Sequence, residues 1–357
     1  MDMESRISLI KQVGEEILTD DELRNLLETK DHPIAYDGFE PSGTDIHIAQ
    51  GILRSININK MTKAGCEFKM LVADWHAWAN NKMGGSLERI QTVGKYMIEV
   101  WKHCGMDLKN VEFVWANDFV QDANYWKKVM QIARNSTINR IVRTGQIMGR
   151  KEAEVLQASQ ILYPCMQAAD IFHLKADICQ LGMDQRKVNV LARELGQSIG
   201  YYKPVIVSHH MLMGLGEPPK SNDIDRVIDL KMSKSKPETA IFMNDSEEKI
   251  KSKVSKAYCP AKILEENPIM EYAKHLVFEK FDVMEIKRSE KFGGDLVIED
   301  YAKLQNLYSQ GKIHPADLKS SCAHYINEMI MPVREKFLHD SHLRNLLETI
   351  KGFEVTR

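Results

Sequence analysis

The sequence contains no C-x-x-C pair and no cluster of Cys and His with zinc-site spacing. Its six cysteines stand apart at positions 66, 104, 165, 179, 259 and 322. A disulfide-framed or zinc-stapled scaffold is therefore excluded. Because the N-terminus MDMESRISLIKQVGEE is a charged amphipathic stretch and not an apolar leader, the thiols fit a reducing, cytoplasmic compartment. No run reaches the roughly 20 apolar residues that a membrane span needs. Charge of one sign is also missing: 48 basic against 50 acidic residues leave a formal net charge of -2. Any nucleic-acid partner must then be met by local patches, since there is no global basic field. Neither G-x-G-x-x-G nor G-x-x-x-x-G-K-[ST] occurs, which argues against a dinucleotide fold or a P-loop NTPase. What remains is an ordinary globular composition, 43% hydrophobic and 27% charged, over 357 residues. That length suggests two domains of unequal size.

Residues 4–29 read as helical throughout. The period then changes. A short strand at His32–Tyr36 is ended by Asp37-Gly38 and the turn Pro41-Ser42-Gly43, and a helix follows from about Ile46. Further strands are expected at Phe68–Ala73, Val111–Trp115, Asp177–Leu181 and Pro204–Val207, with helical stretches between them. Strands alternating with helices mean βαβ units and a mostly parallel, Rossmann-like sheet of the α/β class. Its ligands belong at the carboxyl ends of the strands. Residues 121–162, helical and rich in Arg and Gln, read as a helical insertion. Asp245 and Glu248 form an expected capping box for a lysine-rich helix, and a domain boundary is expected near 245. The chain from 246 to 357 then reads as a mostly helical second domain, interrupted at Phe292-Gly293-Gly294.

Two segments carry the chemistry. The first is YDGFEPSGTDIHIAQG, Tyr36 to Gly51. Gly38 and Gly43 allow close backbone approach, and a helix N-terminus faces the ligand. His47 and Gln50, three apart, share a face. Alone, a histidine at a helix start is more often an ordinary surface residue. The second is KMSKSKPETAIF, which sets Lys231, Lys234 and Lys236 among small residues. Such a cluster is either a solvated loop or a mobile clamp for phosphate oxygens. The helix YPCMQAADIF adds Tyr163, Gln167 and Asp170 at spacings of four and three, and GMDQRK puts Gln185 after a strand.

Taken together, HIAQ (His47 to Gln50) and KMSKS (Lys231, Met232, Ser233, Lys234, Ser235) resemble the paired ATP motifs of class I aminoacyl-tRNA synthetases. Gln50 stands where a second histidine is usual. AYDGFEPSG, VADWHAW, YPCMQAADIF, GMDQRKVN, KMSKS, AYCP and HPADLK occur in that order over about residues 15–337. This is similar to tyrosyl-tRNA synthetases of the archaeal and eukaryotic type. The resemblance implies a catalytic domain over 1–245 and a helical anticodon-binding domain over 246–357. It implies ATP with Mg2+ and L-tyrosine as ligands, with no resident metal site. It also implies tRNA(Tyr) as partner and a homodimer joined through the insertion, with no membrane. His47, Gln50, Lys231 and Lys234 would be catalytic, and Gly38, Met232, Ser233 and Ser235 would complete the ATP site. Tyr36 and Asp170 would bind the phenol of tyrosine, and Tyr163, Gln167 and Gln185 its α-amino group. His76 would line the pocket. Arg186 and Lys187 would meet the acceptor stem, and Phe292 and Asp317 the first anticodon base. The rivals are a tryptophanyl-tRNA synthetase, which shares the architecture, and a non-catalytic synthetase-like RNA-binding protein.

Overall fold

The computed structural model describes residues 1–148, 157–219 and 230–353. Its centre is a six-stranded sheet in the order β1-β6-β5-β2-β3-β4. The strands are β1 (Gly14–Leu18), β2 (Ile34–Phe39), β3 (Glu67–Val72), β4 (Val111–Trp115), β5 (Ile178–Cys179) and β6 (Val205–His209). All pair in parallel except β1, which runs antiparallel to β6 on the edge. The chain moves outward from β2 through β3 to β4, then returns to β5 on the other side of β2. The gap at the carboxyl ends of β2 and β5 is thus the topological switch point, where ligands of such sheets bind.

The sequence expectations hold for β4 to the residue and for the other parallel strands to within a few. Residues 4–29 do not form one helical stretch. They divide into α1 (Met3–Val13), β1 and α2 (Asp20–Thr29). Asp2 caps α1 and Thr19 caps α2, and the segment between them supplies the edge strand. The stretch LRNLLET occurs twice in the sequence, at Leu23–Thr29 and Leu343–Thr349, and both copies are helical, in α2 and in the helix Ser341–Lys351.

Helices cover both faces. On one lie α3 (Arg54–Lys63) and α5 (Leu87–His103); α5 buries Ile90, Val93, Met97, Val100 and Trp101 at helical spacing after an N-cap at Ser86. On the other lie α7 (Ala123–Arg134), α8 (Ile138–Thr144), α9 (Ala158–His173) and α10 (Arg186–Leu195), after the short α4 (Asp74–Ala79) and α6 (Ala116–Phe119) at strand ends. Helix α9 is buried from Tyr163 to Phe172, so its polar residues must point into a site or find partners. Of the insertion expected at 121–162, α7, α8 and the start of α9 are helical; 149–156 lie outside the described residues.

The C-terminal region holds α11 (Glu247–Ser255), a hairpin of β7 (Met284–Ile286) and β8 (Leu296–Ile298), α12 (Tyr301–Ser309), α13 (Pro315–His339) and α14 (Ser341–Lys351). The cap of α11 is one residue later than expected. Ser246 accepts from the Lys249 amide, while Asp245 takes the Phe242 amide at 2.9 Å and the Lys253 ammonium at 2.7 Å. One apolar core runs without a break from α3 and α5 into α13. A second core lies under α7, α9 and α10.

Candidate active site

Six residues expected to hold an amino acid line one pocket of about 100 Å³: Tyr36, His76, Tyr163, Gln167, Asp170 and Gln185. They come from β2, from α4 after β3, from α9, and from the turn Met183–Gln185 after β5. Helical spacing sends Tyr163, Gln167 and Asp170 to the same side of α9. Gln167 Nε2 donates to Gln185 Oε1 at 3.0 Å, tying the two elements together.

Asp170 is fully buried at the pocket floor. Tyr125 on α7 donates its hydroxyl to Asp170 Oδ1 at 3.0 Å. His76 Nε2 lies 2.9 Å from Oδ2, close enough for an ion pair but out of line for a hydrogen bond. Oδ2 therefore accepts no hydrogen bond among the described residues. Burial works against protonation of His76, but Asp170, Glu40 and Asp74 outweigh it and raise its pKa. Burial and the Asp170 charge hold the phenols of Tyr36 and Tyr125 far above their usual range. Burial and Glu40 do the same for Tyr163. All three stay neutral and can donate. Gly38 has a role beyond backbone approach to a ligand: a Cβ there would stand 3.2 Å from the Tyr36 hydroxyl and crowd the pocket.

Beside this pocket the two ATP-type motifs are laced together. The Ile48 amide donates to the Ile241 carbonyl and the Met243 amide to the Ile46 carbonyl, both at 2.9 Å. His47 lies just before the helical turns rather than within them. Its Nδ1 accepts from the Gln50 amide at 3.3 Å, so the proton sits on Nε2. Burial, with Lys234 and Lys231 nearby, pushes the His47 pKa well down. The residue is a neutral donor.

The two lysines differ. Lys231 Nζ pairs with Asp184 Oδ2 at 2.6 Å. Lys234 Nζ is buried with no hydrogen-bond partner among the described residues. Burial pulls its pKa down to about 8, against the pull of Asp45 and Glu40. It lies over the first motif, since a Cβ on Gly43 would come 3.3 Å from Lys234 Cδ. A buried cation without a hydrogen-bond partner is costly even with carboxylates nearby, and an anion entering beside Gly43 and His47 would lower that cost. Met232 is buried, whereas Ser233 and Ser235 bond to each other at 2.9 Å and shape the loop.

Four expected residues lie apart from the pocket lining. Arg186 opens α10 and pairs with Glu16 at 2.6 Å, and Lys187 follows it. Phe292 is 63% exposed, a high value for a large aromatic. Arg288 pins its turn to the segment before Asp317, donating to Gly294 at 2.8 Å and Lys312 at 2.9 Å. Asp317 sits in the first turn of α13, whose cap is His314. Sequence reasoning missed Tyr125 and Asp184. Asp184 stood next to Gln185 within the quoted GMDQRK; Tyr125 gave no local signal.

A parallel sheet with its switch-point pocket beside two interlocked phosphate-type motifs defines a class I aminoacyl-tRNA synthetase. The family described as tRNA synthetases class I (W and Y) matches residues 28–330. Over its full length the chain is 48% identical to the cytoplasmic tyrosine–tRNA ligase 1 of Arabidopsis thaliana, covering 90% of that protein. The structure of the tyrosyl-tRNA synthetase of Pyrococcus horikoshii, complexed with L-tyrosine, superposes with a TM-score of 0.90 at 37% identity, covering 98% of this chain and all of that one. The Leishmania major enzyme in complex with tyrosinol gives 0.89 at 42% identity and 98% of this chain; here the chain spans 52% of its relative. The chain belongs to this family, among its tyrosine–tRNA ligases.

Proposed function

We propose that this chain activates L-tyrosine with ATP, taken up as its magnesium complex, and transfers the tyrosyl group to the 3′-terminal ribose of tRNA(Tyr). The observation that carries the amino-acid choice is the buried Asp170 Oδ2, without a hydrogen bond at the floor of an aromatic pocket. A substrate phenol would donate to it, with the Tyr36 hydroxyl as second partner. Tyr163, Gln167 and Gln185 hold the α-amino group, and His76 supports Asp170. The substrate carboxylate then attacks the α-phosphorus, and the bond to pyrophosphate breaks. Charge gathers on the phosphate oxygens, where Lys234 answers it, Lys231 shares itself with Asp184, and His47 donates from Nε2. Gln50, Gly38 and the backbone of Met232, Ser233 and Ser235 frame the nucleotide. No side chain serves as nucleophile; orientation and fixed charge do the work. The terminal ribose hydroxyl next attacks the activated carbonyl, and AMP leaves.

In this reading 1–245 form the catalytic domain and 246–357 the anticodon-binding domain. Arg186 and Lys187 meet the acceptor stem. Phe292 stacks on the first anticodon base while Asp317 hydrogen-bonds it, since aromatic exposure suits a splayed base. A second copy covers the insertion, where Met130 and Ile138 are 54% and 71% exposed. The protein works in the cytoplasm; among the described residues no helix is long and apolar enough to cross a membrane. The test is ATP–pyrophosphate exchange with each of the twenty amino acids, followed by charging of tRNA(Tyr). Exchange with tyrosine alone is expected. Exchange with tryptophan instead, or with none, would overturn the reading.

A further inference from the structure

Between the lysine loop and the C-terminal region runs an extended strap, residues 212–215. On one side it carries both stems of the loop. The Gly214 amide donates to the Leu230 carbonyl at 2.9 Å, the Met232 amide to the Leu212 carbonyl at 2.8 Å, and the Leu215 amide to the Thr239 carbonyl at 2.8 Å. On its other side it is held by the C-terminal region. Glu271 Oε1 accepts from the Met213 amide at 2.7 Å, and the Tyr272 hydroxyl donates to the Met213 carbonyl at 2.7 Å. The Tyr258 amide adds a bond to the Leu215 carbonyl at 2.8 Å. Both backbone groups of Met213 are thus answered by two consecutive side chains of the short helix Pro268–Tyr272. Tyr272 is fully buried, and the Glu271 carboxylate is further fixed by His210 Nε2 at 2.7 Å. Lys231 lies directly opposite Met213 in the ladder.

We propose that Glu271 and Tyr272 are positioning residues for amino-acid activation: they hold the strap in register and through it aim the ammonium groups of Lys231 and Lys234. Neither touches the reacting atoms. The inference rests on the reading of this loop as the phosphate clamp. Leu212 and Leu215 anchor the strap in the core, and its register is fixed by the hydrogen bonds along its two edges. One edge is the loop that must move during the reaction. The other is therefore the fixed reference.

A merely structural role would lower stability and multiply every rate alike. The test is a double-mutant cycle read in tyrosine-dependent pyrophosphate exchange, with Tyr272→Phe and Lys234→Ala alone and together. Tyr272→Phe keeps the ring and removes one hydroxyl. Expected is a fall in kcat of roughly tenfold for the lost buried bond, with the tyrosine KM held within about twofold. In the Lys234→Ala background the same change should cost less than about threefold, because the principal charge to be aimed is gone. Glu271→Gln retains an oxygen for the Met213 amide and should keep most of kcat, whereas Glu271→Ala should lose it. Equal factors for Tyr272→Phe in both backgrounds, an unchanged kcat, or a loss confined to tyrosine KM would overturn the proposal. If Lys234→Ala alone leaves exchange at the wild-type rate, the phosphate-clamp reading falls, and this inference with it.

Discussion

Lys234 carries its charge where no side chain among the described residues bonds to it, and its depressed pKa has a kinetic consequence. A lysine loses its proton as pH rises through its pKa, here about 8 in the free protein. The profile of kcat/KM for ATP reports the free enzyme, so it should fall about tenfold per pH unit above that value. Lys234→Arg, which stays charged, should remove this descending limb. Its persistence in the variant would assign the limb to another group. The same scale shows where residue chemistry was legible. Tyr163, Gln167 and Asp170 announced themselves through helical spacing, because a carboxylate flanked by apolar residues needs a purpose. Tyr125 was silent, since it meets Asp170 only through the packing of α7 on α9, 45 positions apart in sequence. The Lys231–Asp184 pair was hidden for the same reason.

Among elements, strands were legible where a short apolar run stands between turn residues, as in the inner strand β3 and in β4, which is half-exposed at the sheet edge. The edge strand β1 was not. GEEIL contains two glutamates, and only its partner β6 makes it a strand. Its neighbourhood also joins the two halves of the chain. His210, just after β6, lies between Glu15 of β1 at 3.3 Å and Glu271 at 2.7 Å, with the His275 ring stacked on it. Burial opposes the charge on His210, but the two carboxylates raise its pKa to about 9. Burial and that neighbouring charge hold His275 down to about 3. The folded pKa of His210 is above its unfolded value of roughly 6.5. Its stabilisation is therefore complete below that pH and is lost as pH rises through about 9. The Tm difference between wild type and His210→Gln should shrink steadily from pH 6.5 to pH 9.5. A difference independent of pH would mean that His210 contributes only by packing.

At the scale of the whole molecule, the pocket around Asp170 and the exposed Phe292 are carried by separate parts of the chain. Phe292→Ala and Asp317→Ala should each raise the KM for tRNA about tenfold and leave pyrophosphate exchange untouched, as for a stacked and hydrogen-bonded base. An equal loss in exchange would make them structural. Everything else depends on the assignment of the pocket to tyrosine. Tyrosine and phenylalanine differ by one hydroxyl, and an apolar slot of the right shape would bind both rings alike. A buried carboxylate oxygen that needs a donor distinguishes them, because phenylalanine leaves it unpaired. Asp170→Asn preserves the volume and leaves an oxygen for Tyr125, while turning an amide toward the substrate in place of the acceptor. The decisive measurement is kcat/KM for tyrosine and for phenylalanine in pyrophosphate exchange, with wild type, Asp170→Asn and Tyr36→Phe. Asp170→Asn should lose roughly tenfold to a hundredfold of the preference for tyrosine, the scale of one buried unpaired partner, and Tyr36→Phe should lose less. A variant without the Asp170 carboxylate that still chose tyrosine as strongly as the wild type would contradict the account.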